Sequence, residues 1–276
     1  MKFNTKCVHG SGRPDSTGAI SPAIYMSSTF SHPKLGDTTG YQYTRESNPT
    51  RDRLEQLIAG LEDGKDALAF SSGMAAVDAV FHLFSPGDHI ILGDDLYGGS
   101  IRMFTNIYEQ NGIEFTYVGT SNLDAVKAAF KPNTKAVYIE TPTNPMMEIT
   151  DIRALCTLAH DRNALVIIDN TFLSPYFQKP LNLGADIVVH SGTKFIGGHH
   201  DVISGFTIVN DDELAAKLRL TYKTVGACLS AMDSWLVIRG VKTLALRMEQ
   251  HQKNAIALAE WLKKQPKVTK VLFPGL

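Results

Sequence analysis

Cysteine is scarce in this sequence. The 276 residues include three cysteines, Cys7, Cys156 and Cys228, and no Cys-x-x-Cys pair. Three scattered cysteines cannot form the disulfide framework of a small secreted domain, and an odd count fits a reducing compartment. We therefore predict a cytoplasmic location.

The chain also lacks an excess of charge of either sign. Lysine and arginine number 27 and aspartate and glutamate 28, so the formal net charge is −1, and no basic run is present. Nucleic acids and anionic membranes are bound chiefly through positive charge. No stretch of about 18 apolar residues occurs that would span a bilayer. We expect a small-molecule partner, and neither nucleic acid nor a membrane.

Two other signatures are missing. No G-x-G-x-x-G segment follows an apolar run, which argues against a nicotinamide-dependent dehydrogenase. His199 and His200 lie beside Asp201, but adjacent histidines do not share a face, and no further acidic or cysteine ligands cluster near them in the sequence. We predict no metal site.

Apolar runs and helical patterns alternate through the middle of the chain. The first 50 residues lack this periodicity and are rich in Ser, Thr, Gly, Pro and Tyr, which is typical of an extended arm. The alternation predicts an α/β fold with a mostly parallel central sheet and helices on both faces. The predicted strands are residues 67–70, 89–92, 114–118, 136–140, 165–169, 187–190 and 205–209.

The end of the sequence predicts the opening of a further unit. Residues 254–264 form an amphipathic helical pattern, Pro266 interrupts it, and residues 268–273 form a strand pattern. One helix and one strand do not close a layer, although a short segment packed on the main domain is the alternative. The predicted division is an N-terminal arm and first helix at 1–58, a large α/β domain at 59–250 and the start of a smaller C-terminal domain at 251–276.

Two chemically useful residues follow buried strands. Asp169 ends one apolar run, and Lys194 follows the run at 185–190 in the segment Ser-Gly-Thr-Lys. Ligands of open α/β sheets gather beyond the carboxyl ends of the strands, so we expect both side chains in one crevice. A lysine amine can hold an aldehyde cofactor as a Schiff base, and a carboxylate can keep the proton on a pyridine nitrogen. Together the two residues predict a pyridoxal-type cofactor; separately they would be a surface lysine and a helix cap.

A glycine at the start of a predicted helix favours a phosphate site. Ser72, Gly73 and Met74 lie between a strand pattern and a helical pattern, and the free N–H groups of a helix N-terminus bind anions. Ser191 and Thr193 add hydroxyl donors at the end of another strand. Simple helix capping is the alternative interpretation of Ser72 and Gly73.

Four more residues are candidates for the same pocket. Tyr97, beside two glycines, can stack on a pyridine ring, and Asn144, in a loop bracketed by prolines, can hydrogen-bond a ring hydroxyl. Arg102 would reach the pocket from the following helix. Arg45 in the arm offers a guanidinium for a phosphate group, across a subunit boundary. Their ordinary interpretations are packing for the tyrosine, turn chemistry for the asparagine and solvent exposure for the arginines.

Six short motifs occur in order along the chain. They are Tyr43-Thr44-Arg45 with Asn48-Pro49-Thr50, Ser72-Gly73-Met74, Asp94-Asp95-Leu96-Tyr97-Gly98-Gly99, Glu140-Thr141-Pro142-Thr143-Asn144-Pro145, Asp169-Asn170-Thr171, and Ser191-Gly192-Thr193-Lys194 with Gly197-Gly198-His199. From the arm to the final residue, the chain resembles the Cys/Met-metabolism family of pyridoxal 5′-phosphate (PLP) enzymes. This family comprises cystathionine β-lyases, γ-synthases and γ-lyases and methionine γ-lyases. The resemblance implies a fold-type I, aminotransferase-like PLP-binding domain.

The resemblance also implies a role for each candidate residue. Lys194 would carry the cofactor and act as a catalytic residue together with Tyr97, which stacks on the ring, and Asp169 would pair with the pyridinium. Asn144 would contact the O3′ side of the ring, and Arg102 would border the substrate. The remaining cofactor contacts would come from Ser72, Gly73, Met74, Thr171, Ser191 and Thr193.

A shared active site is a further implication of the resemblance. Tyr43 and Arg45 would complete the phosphate site of the neighbouring subunit in a dimer, and two such dimers would form a homotetramer. The smaller C-terminal domain of the family supplies an arginine for the substrate carboxylate, and no residue here can be assigned that role. We expect this 276-residue chain to be a truncated form that retains cofactor binding and turns over substrate poorly.

The implied function is that of a PLP-dependent C–S lyase of sulfur amino acids, in transsulfuration and methionine biosynthesis. Our first choice is cystathionine β-lyase, which yields homocysteine, pyruvate and ammonia. Cystathionine γ-synthase and γ-lyase are alternatives, and a non-catalytic PLP-binding scaffold protein is an alternative of another class. Methionine γ-lyase fits less well, because those enzymes typically have cysteine where this chain has Gly99.

Overall fold

The structure is a computed structural model that describes residues 1–10, 12 and 16–276. Its strands are β1 (Asp66–Phe70), β2 (His89–Gly93), β3 (Glu114–Val118), β4 (Thr134–Glu140), β5 (Leu165–Asp169), β6 (Ile187–Ser191) and β7 (Gly205–Val209). Its α-helices are α1 (Phe3–His9), α2 (Pro49–Glu62), α3 (Gly73–Phe81), α4 (Gly98–Met103), α5 (Leu123–Ala129), α6 (Ile152–His160), α7 (Ser174–Phe177), α8 (Asp212–Val225), α9 (Ala231–Val241) and α10 (Leu244–Leu262). A π-helical turn follows α4 at Phe104–Tyr108, and a 3₁₀ turn lies at Pro180–Leu183.

The strands form one sheet in the order β1-β7-β6-β5-β4-β2-β3. β7 runs antiparallel to both of its neighbours, and the other neighbouring pairs are parallel. The predicted α/β fold with a mostly parallel sheet is therefore confirmed. The predicted strands match the observed ones to within two residues at either end, since strands buried on both faces appear in a sequence as continuous apolar runs.

Helices cover both faces of the sheet. Successive residues of a strand point to opposite faces, so Ile90 packs in the cluster of α3 and α8, while its neighbour Ile91 packs in the cluster of α6. On the α3 face, Phe81 stacks on Phe104 with 4.3 Å between the ring centroids. On the opposite face, a further cluster joins α2 to α9 and α10. The core thus lies in two layers, one on each side of the sheet.

The arm before α2 contains little regular structure. Its one described helix, α1, was not expected from the sequence; it packs through the buried Cys7, and its Lys6 forms a 2.7 Å ion pair with Asp63 beyond the end of α2. Seven residues are too few to show helical periodicity clearly. Farther along, the arm is held by main-chain contacts such as the hydrogen bond from the Trp235 indole to the Pro22 carbonyl, 3.1 Å.

The predicted strand at 268–273 is wrong. This segment pairs with no other part of the described chain, and its first amide instead closes a turn onto Gln265, 3.1 Å. A strand needs a neighbour for its backbone groups, and an apolar pattern alone does not supply one. The predicted boundary at residue 250 falls within α10, and the domain division stays a prediction. Among the helices of residues 1–10, 12 and 16–276, none combines the length and the hydrophobicity that a membrane span requires.

Candidate active site

A cavity of about 430 Å³ opens at the carboxyl ends of the central strands. Its walls come from the turns after β1, β2, β4, β5 and β6. Ten of the predicted site residues line it: Ser72, Gly73, Met74, Tyr97, Asn144, Asp169, Thr171, Ser191, Thr193 and Lys194. It is also lined by Val77, Ser100, Glu140, Phe172, Val189, Phe195 and Ile203.

The alternation of side chains along the strands explains why acidic groups meet in this cavity. Tyr138 and Ile167 point to the α3 face of the sheet, so Glu140 and Asp169, two residues later on each strand, point the same way. β4 and β5 are in parallel register, with Glu140 directly beside Asp169. Two carboxyl groups therefore lie side by side at the inner wall of the cavity.

Asp169 is a half-buried carboxyl that accepts hydrogen bonds from two neighbouring residues. Its Oδ1 accepts from the Thr171 amide at 3.0 Å, and its Oδ2 accepts from the Tyr138 hydroxyl at 3.4 Å. Burial raises the pKa of Asp169, and the hydrogen bonds from Thr171 oppose that shift. A cationic ring nitrogen beside this carboxylate would reverse the cost of burying it.

Lys194 lies in a turn just after β6, with its side chain exposed at the cavity. Its amine makes no hydrogen bond or ion pair with any described residue. The turn itself is fixed from α10, where the Arg247 guanidinium donates to the carbonyls of Phe195 at 2.6 Å and Gly240 at 3.0 Å. The unpaired amine of Lys194 thus belongs to a turn whose main chain is fixed by hydrogen bonds.

The N-terminus of α3 forms an anion site on the cavity wall. Ser72 caps this helix, its hydroxyl accepting from the Ala75 amide at 3.0 Å. The amides of Gly73 and Met74 have no acceptor within the described chain, as expected for the first turn of a helix. A Cβ on Gly73 would lie 2.8 Å from the Ser191 Cβ, so only glycine lets the two main chains come this close.

Hydroxyl groups from β5 and β6 lie beside this anion site. The Thr171 hydroxyl accepts from the Ser191 amide at 2.7 Å and so ties the ends of the two strands together. The Thr193 hydroxyl donates to the Ser204 carbonyl at 3.2 Å and accepts from the Ser204 amide at 3.1 Å. The Ser191 hydroxyl thus has no hydrogen-bond partner among the residues that the structure describes, whereas the Thr193 hydroxyl bonds the main chain of Ser204.

An aromatic ring and a loop form the mouth of the cavity. Tyr97 is 50% exposed, and its amide donates to Glu140 Oε2 at 3.2 Å. Asn144 is exposed in the following loop, which is tied down by a 3.0 Å hydrogen bond from the Met146 amide to Asp95. The Asn144 side chain makes no hydrogen bond in the described chain.

Three predicted site residues do not line the cavity. Arg45 donates to the Lys223 carbonyl, and its guanidinium lies 5.2 Å from the centre of the Tyr43 ring. Tyr43 is 42% exposed and forms an isolated β-bridge with Thr29. Arg102 lies in the last turn of α4. None of the three is among the residues that line the cavity of the same chain.

Sequence reasoning missed one charged residue of the cavity, Glu140. The signal was present, because Glu140 ends an apolar strand as Asp169 does. The apolar lining residues Phe172, Phe195 and Ile203 gave no such signal, since apolar residues near strand ends look the same in sequence whether they line a cavity or fill the core.

The cavity residues fit PLP. A phosphate group matches the two free amides and the capping serine of α3, an aldehyde matches the unpaired amine of Lys194, and a pyridinium matches the half-buried carboxyl of Asp169. The half-exposed Tyr97 ring is placed to cover a flat ligand.

Comparison with known proteins agrees with this chemistry. The chain is 50% identical over 275 residues to the cystathionine beta-lyase of Lactococcus lactis subsp. cremoris strain MG1363, covering 99% of this chain and 72% of that protein. It is 49% identical over 276 residues to the cystathionine gamma-lyase of Bacillus subtilis strain 168, covering 100% of this chain and 73% of that protein. Related proteins of this similarity thus carry two different activity names.

A solved structure and a family model agree with these relatives. The crystal structure of cystathionine gamma-lyase from Lactobacillus plantarum complexed with L-serine matches with a TM-score of 0.98 and 50% identity, covering 100% of this chain and 72% of that one. The family model described as Cys/Met metabolism PLP-dependent enzyme matches residues 4–276. The chain therefore belongs to the Cys/Met metabolism family of PLP-dependent enzymes.

Proposed function

We propose that this PLP-dependent C–S lyase of the transsulfuration type acts on cystathionine by β-elimination. Cystathionine and water would give homocysteine, pyruvate and ammonia. The observation that carries the proposal is the cavity in which the free amine of Lys194 and the half-buried carboxyl of Asp169 lie among residues that fit PLP. β-Lyases of Lactococcus lactis at 50% identity support the choice of reaction.

The residues of the cavity would divide the work between holding the cofactor and moving protons. Bound PLP supplies an electron-withdrawing pyridinium ring that stabilises negative charge on the substrate α-carbon. Asp169 would hold the proton on the ring nitrogen, and Tyr97 would cover the ring. Lys194 would hold the cofactor covalently through its amine, and the same amine would serve as the general base for the proton on the substrate α-carbon.

The phosphate and the ring edge would be held by the groups that the cavity leaves free. The Gly73 and Met74 amides and the Ser72 and Ser191 hydroxyls would bind the phosphate. We propose that Thr193 and Thr171 assist by holding the main chain around them. Asn144 would contact the ring hydroxyl. Arg102 stays a proposed substrate neighbour from α4.

We further propose that the active site is shared between two subunits. Tyr43 and Arg45 are absent from the lining of this chain's own cavity, and an arginine fork suits a phosphate group. A second copy of the chain would present them, in a dimer that pairs again to a homotetramer. A cytoplasmic location is proposed from the three unpaired cysteines.

Covalent labelling tests the central assignment. The chain is loaded with PLP, reduced with borohydride and digested, and the modified peptide is identified by mass spectrometry. We expect the label on Lys194, none in Lys194→Ala, and full labelling in Lys264→Ala, which removes an exposed lysine of the C-terminal segment. A label on another lysine in the wild-type chain would refute the assignment.

Product analysis separates β-elimination from its alternatives. Cystathionine incubated with the protein and PLP should release homocysteine and pyruvate. Cysteine and 2-oxobutyrate would indicate γ-lyase activity, which the 49% identical Bacillus subtilis relative favours. If neither pair of products forms, and the protein instead makes cystathionine from an activated homoserine and cysteine, it is a γ-synthase. A Haemophilus influenzae relative that is 47% identical carries the name cystathionine gamma-synthase. Covalent labelling without any of these reactions would favour the scaffold alternative.

A further inference from the structure

Glu140 is a buried carboxyl of the cavity to which no role has been given above. It ends β4, is 5% exposed, and lies in register beside Asp169. Its Oε2 accepts from the Tyr97 amide at 3.2 Å. Glu140 therefore lies beside one of the residues proposed to hold the cofactor ring, Asp169, and accepts a hydrogen bond from the other, Tyr97.

A buried carboxyl and its half-buried neighbour cannot both be ionised cheaply, because like charges close together and partly shielded from water repel each other. Asp169 receives hydrogen bonds from the Thr171 amide and the Tyr138 hydroxyl, whereas Glu140 receives one, from the Tyr97 amide. Burial, followed by the charge of Asp169, raises the pKa of Glu140 to about 8. The negative charge therefore resides on Asp169 and the proton on Glu140.

The contact with the Tyr97 amide matters because it joins this residue to the sheet, whereas the hydrogen bonds of its carbonyl join it to α4. Tyr97 precedes α4, and its carbonyl accepts from the amides of Ser100 and Ile101 at 2.9 and 3.2 Å. Its ring lies over Gly99, where a Cβ would overlap it. Glu140 is the side chain that ties the main chain of Tyr97 to the sheet.

We propose that Glu140 is a positioning residue for the cofactor ring. Its uncharged, protonated carboxyl holds the main chain of Tyr97 so that the aromatic ring covers the cavity, and it leaves the single negative charge beside the ring nitrogen to Asp169. This inference rests on the proposed roles of Tyr97 and Asp169.

Substitutions that separate charge from hydrogen bonding test the proposal. Glu140→Gln keeps an uncharged acceptor for the Tyr97 amide, and Glu140→Ala removes the acceptor. Glu140→Asp keeps a carboxyl group, but the shorter side chain moves it away from the Tyr97 amide. The control is Glu148→Gln, an exposed glutamate of the neighbouring loop that does not line the cavity. The readouts are the Kd for PLP and the visible circular dichroism of the bound cofactor, which reports the asymmetry around its ring.

We expect Glu140→Gln and the control to match the wild type within about two-fold in Kd and in the dichroic band. Glu140→Ala and Glu140→Asp should bind PLP about ten-fold more weakly, with a reduced band, because one buried hydrogen bond is lost. A Gln variant as impaired as the Ala variant would show that the charge is required and overturn the proposal. Ala and Asp variants that match the wild type would overturn it as well.

Borohydride labelling of each variant separates this inference from the proposed function. If the wild-type chain is not labelled at Lys194, the proposed function fails. If Lys194 is labelled in every variant and the dichroic band never changes, only the role of Glu140 fails. Should Glu140→Ala not fold, as thermal unfolding without cofactor would reveal, the comparison of the Gln and Asp variants decides the question.

Discussion

Gly73 is the point at which the main chain of α3 comes closest to that of β6. A methyl group there would lie 2.8 Å from the Ser191 Cβ, closer than carbon atoms pack. We predict that Gly73→Ala lowers the free energy of unfolding by about 1–3 kcal/mol through this overlap. It should also weaken PLP binding, because the amide of residue 73 and the Ser191 hydroxyl must move apart. Urea denaturation and PLP titration measure the two effects.

Gly60→Ala is the matched control for this substitution. Gly60 lies within α2, and a Cβ there would contact nothing within 4 Å. Alanine favours a helix over glycine by up to about 1 kcal/mol, so this variant should be slightly more stable and bind PLP normally. Equal effects of the two substitutions on PLP affinity would contradict the role given to Gly73.

The role of a single residue was predictable from the sequence where a charged side chain stands at the end of an apolar run. Asp169 and Lys194 end or follow apolar runs, and a charge at a strand end points beyond the sheet. Tyr43 and Arg45 could be named through the family resemblance, but their distance from the cavity of their own chain depends on how the arm folds. Ile203, 64% exposed at the cavity, carries no sequence signal of a binding role.

At the level of elements, the first turn of α3 has two roles: its capping serine stabilises the helix, and its free amides form the proposed anion site. The Ser72 hydroxyl accepts from the Ala75 amide at 3.0 Å, and the Ser230 hydroxyl at α9 accepts from the Asp233 amide at the same distance. We predict that Ser72→Ala and Ser230→Ala each cost about 1 kcal/mol of stability, because each removes one N-cap. Thermal and urea unfolding should report equal losses.

PLP binding should distinguish these two caps. Ser72 lines the cavity and Ser230 does not, so Ser72→Ala should also raise the Kd for PLP by about ten-fold, through the loss of a hydrogen bond to a charged phosphate. Ser230→Ala should leave that Kd unchanged. If both variants or neither changed PLP affinity, α3 would not be the phosphate site.

Elements were predictable where the pattern is local. The buried strands were found because each is an apolar run bounded by turn residues. The reversal of β7, which pairs antiparallel with β1 and β6, could not be read from its apolar composition, because strand direction depends on partners distant in sequence. The prediction of a strand at 268–273 was wrong for the same reason. The apolar pattern is a local property of the sequence, whereas a strand also needs a pairing partner that is distant in sequence.

The whole molecule buries several carboxyl groups, and this should make its stability depend on pH. Burial raises the pKa of Glu55 from 4.5 to about 7 and that of Glu140 to about 8. The folded chain therefore keeps protons that the unfolded chain releases, so this contribution to stability is complete below about pH 4.5 and is lost as pH rises through 7. We predict a falling free energy of unfolding between pH 5 and pH 8, measured by urea denaturation.

Glu55→Gln should reduce that fall by about 3 kcal/mol, because an amide cannot ionise and each pKa unit corresponds to about 1.4 kcal/mol. Glutamine keeps an acceptor for the Ala69 amide, which donates to Glu55 at 3.1 Å. The control is Glu109→Gln, an exposed glutamate after the π-helical turn, which should leave the pH dependence as in the wild type. An unchanged slope in Glu55→Gln would mean that another group titrates.

Subunit mixing tests whether the active site is shared across the whole assembly. If Arg45 serves the partner's cavity, a hybrid of Lys194→Ala and Arg45→Ala chains has one site with both residues intact. Random mixing should then restore about a quarter of the wild-type sites, since half of the dimers are hybrids with one good site each. Borohydride labelling at low PLP concentration counts these sites. The two single variants, measured unmixed, should show almost no labelling. The control is wild type mixed with the double variant, whose hybrids have no good site; there the labelled fraction should fall from half of all sites before mixing to a quarter after it. If the mixture of the two single variants gained no labelled sites, Arg45 would serve the cavity of its own chain.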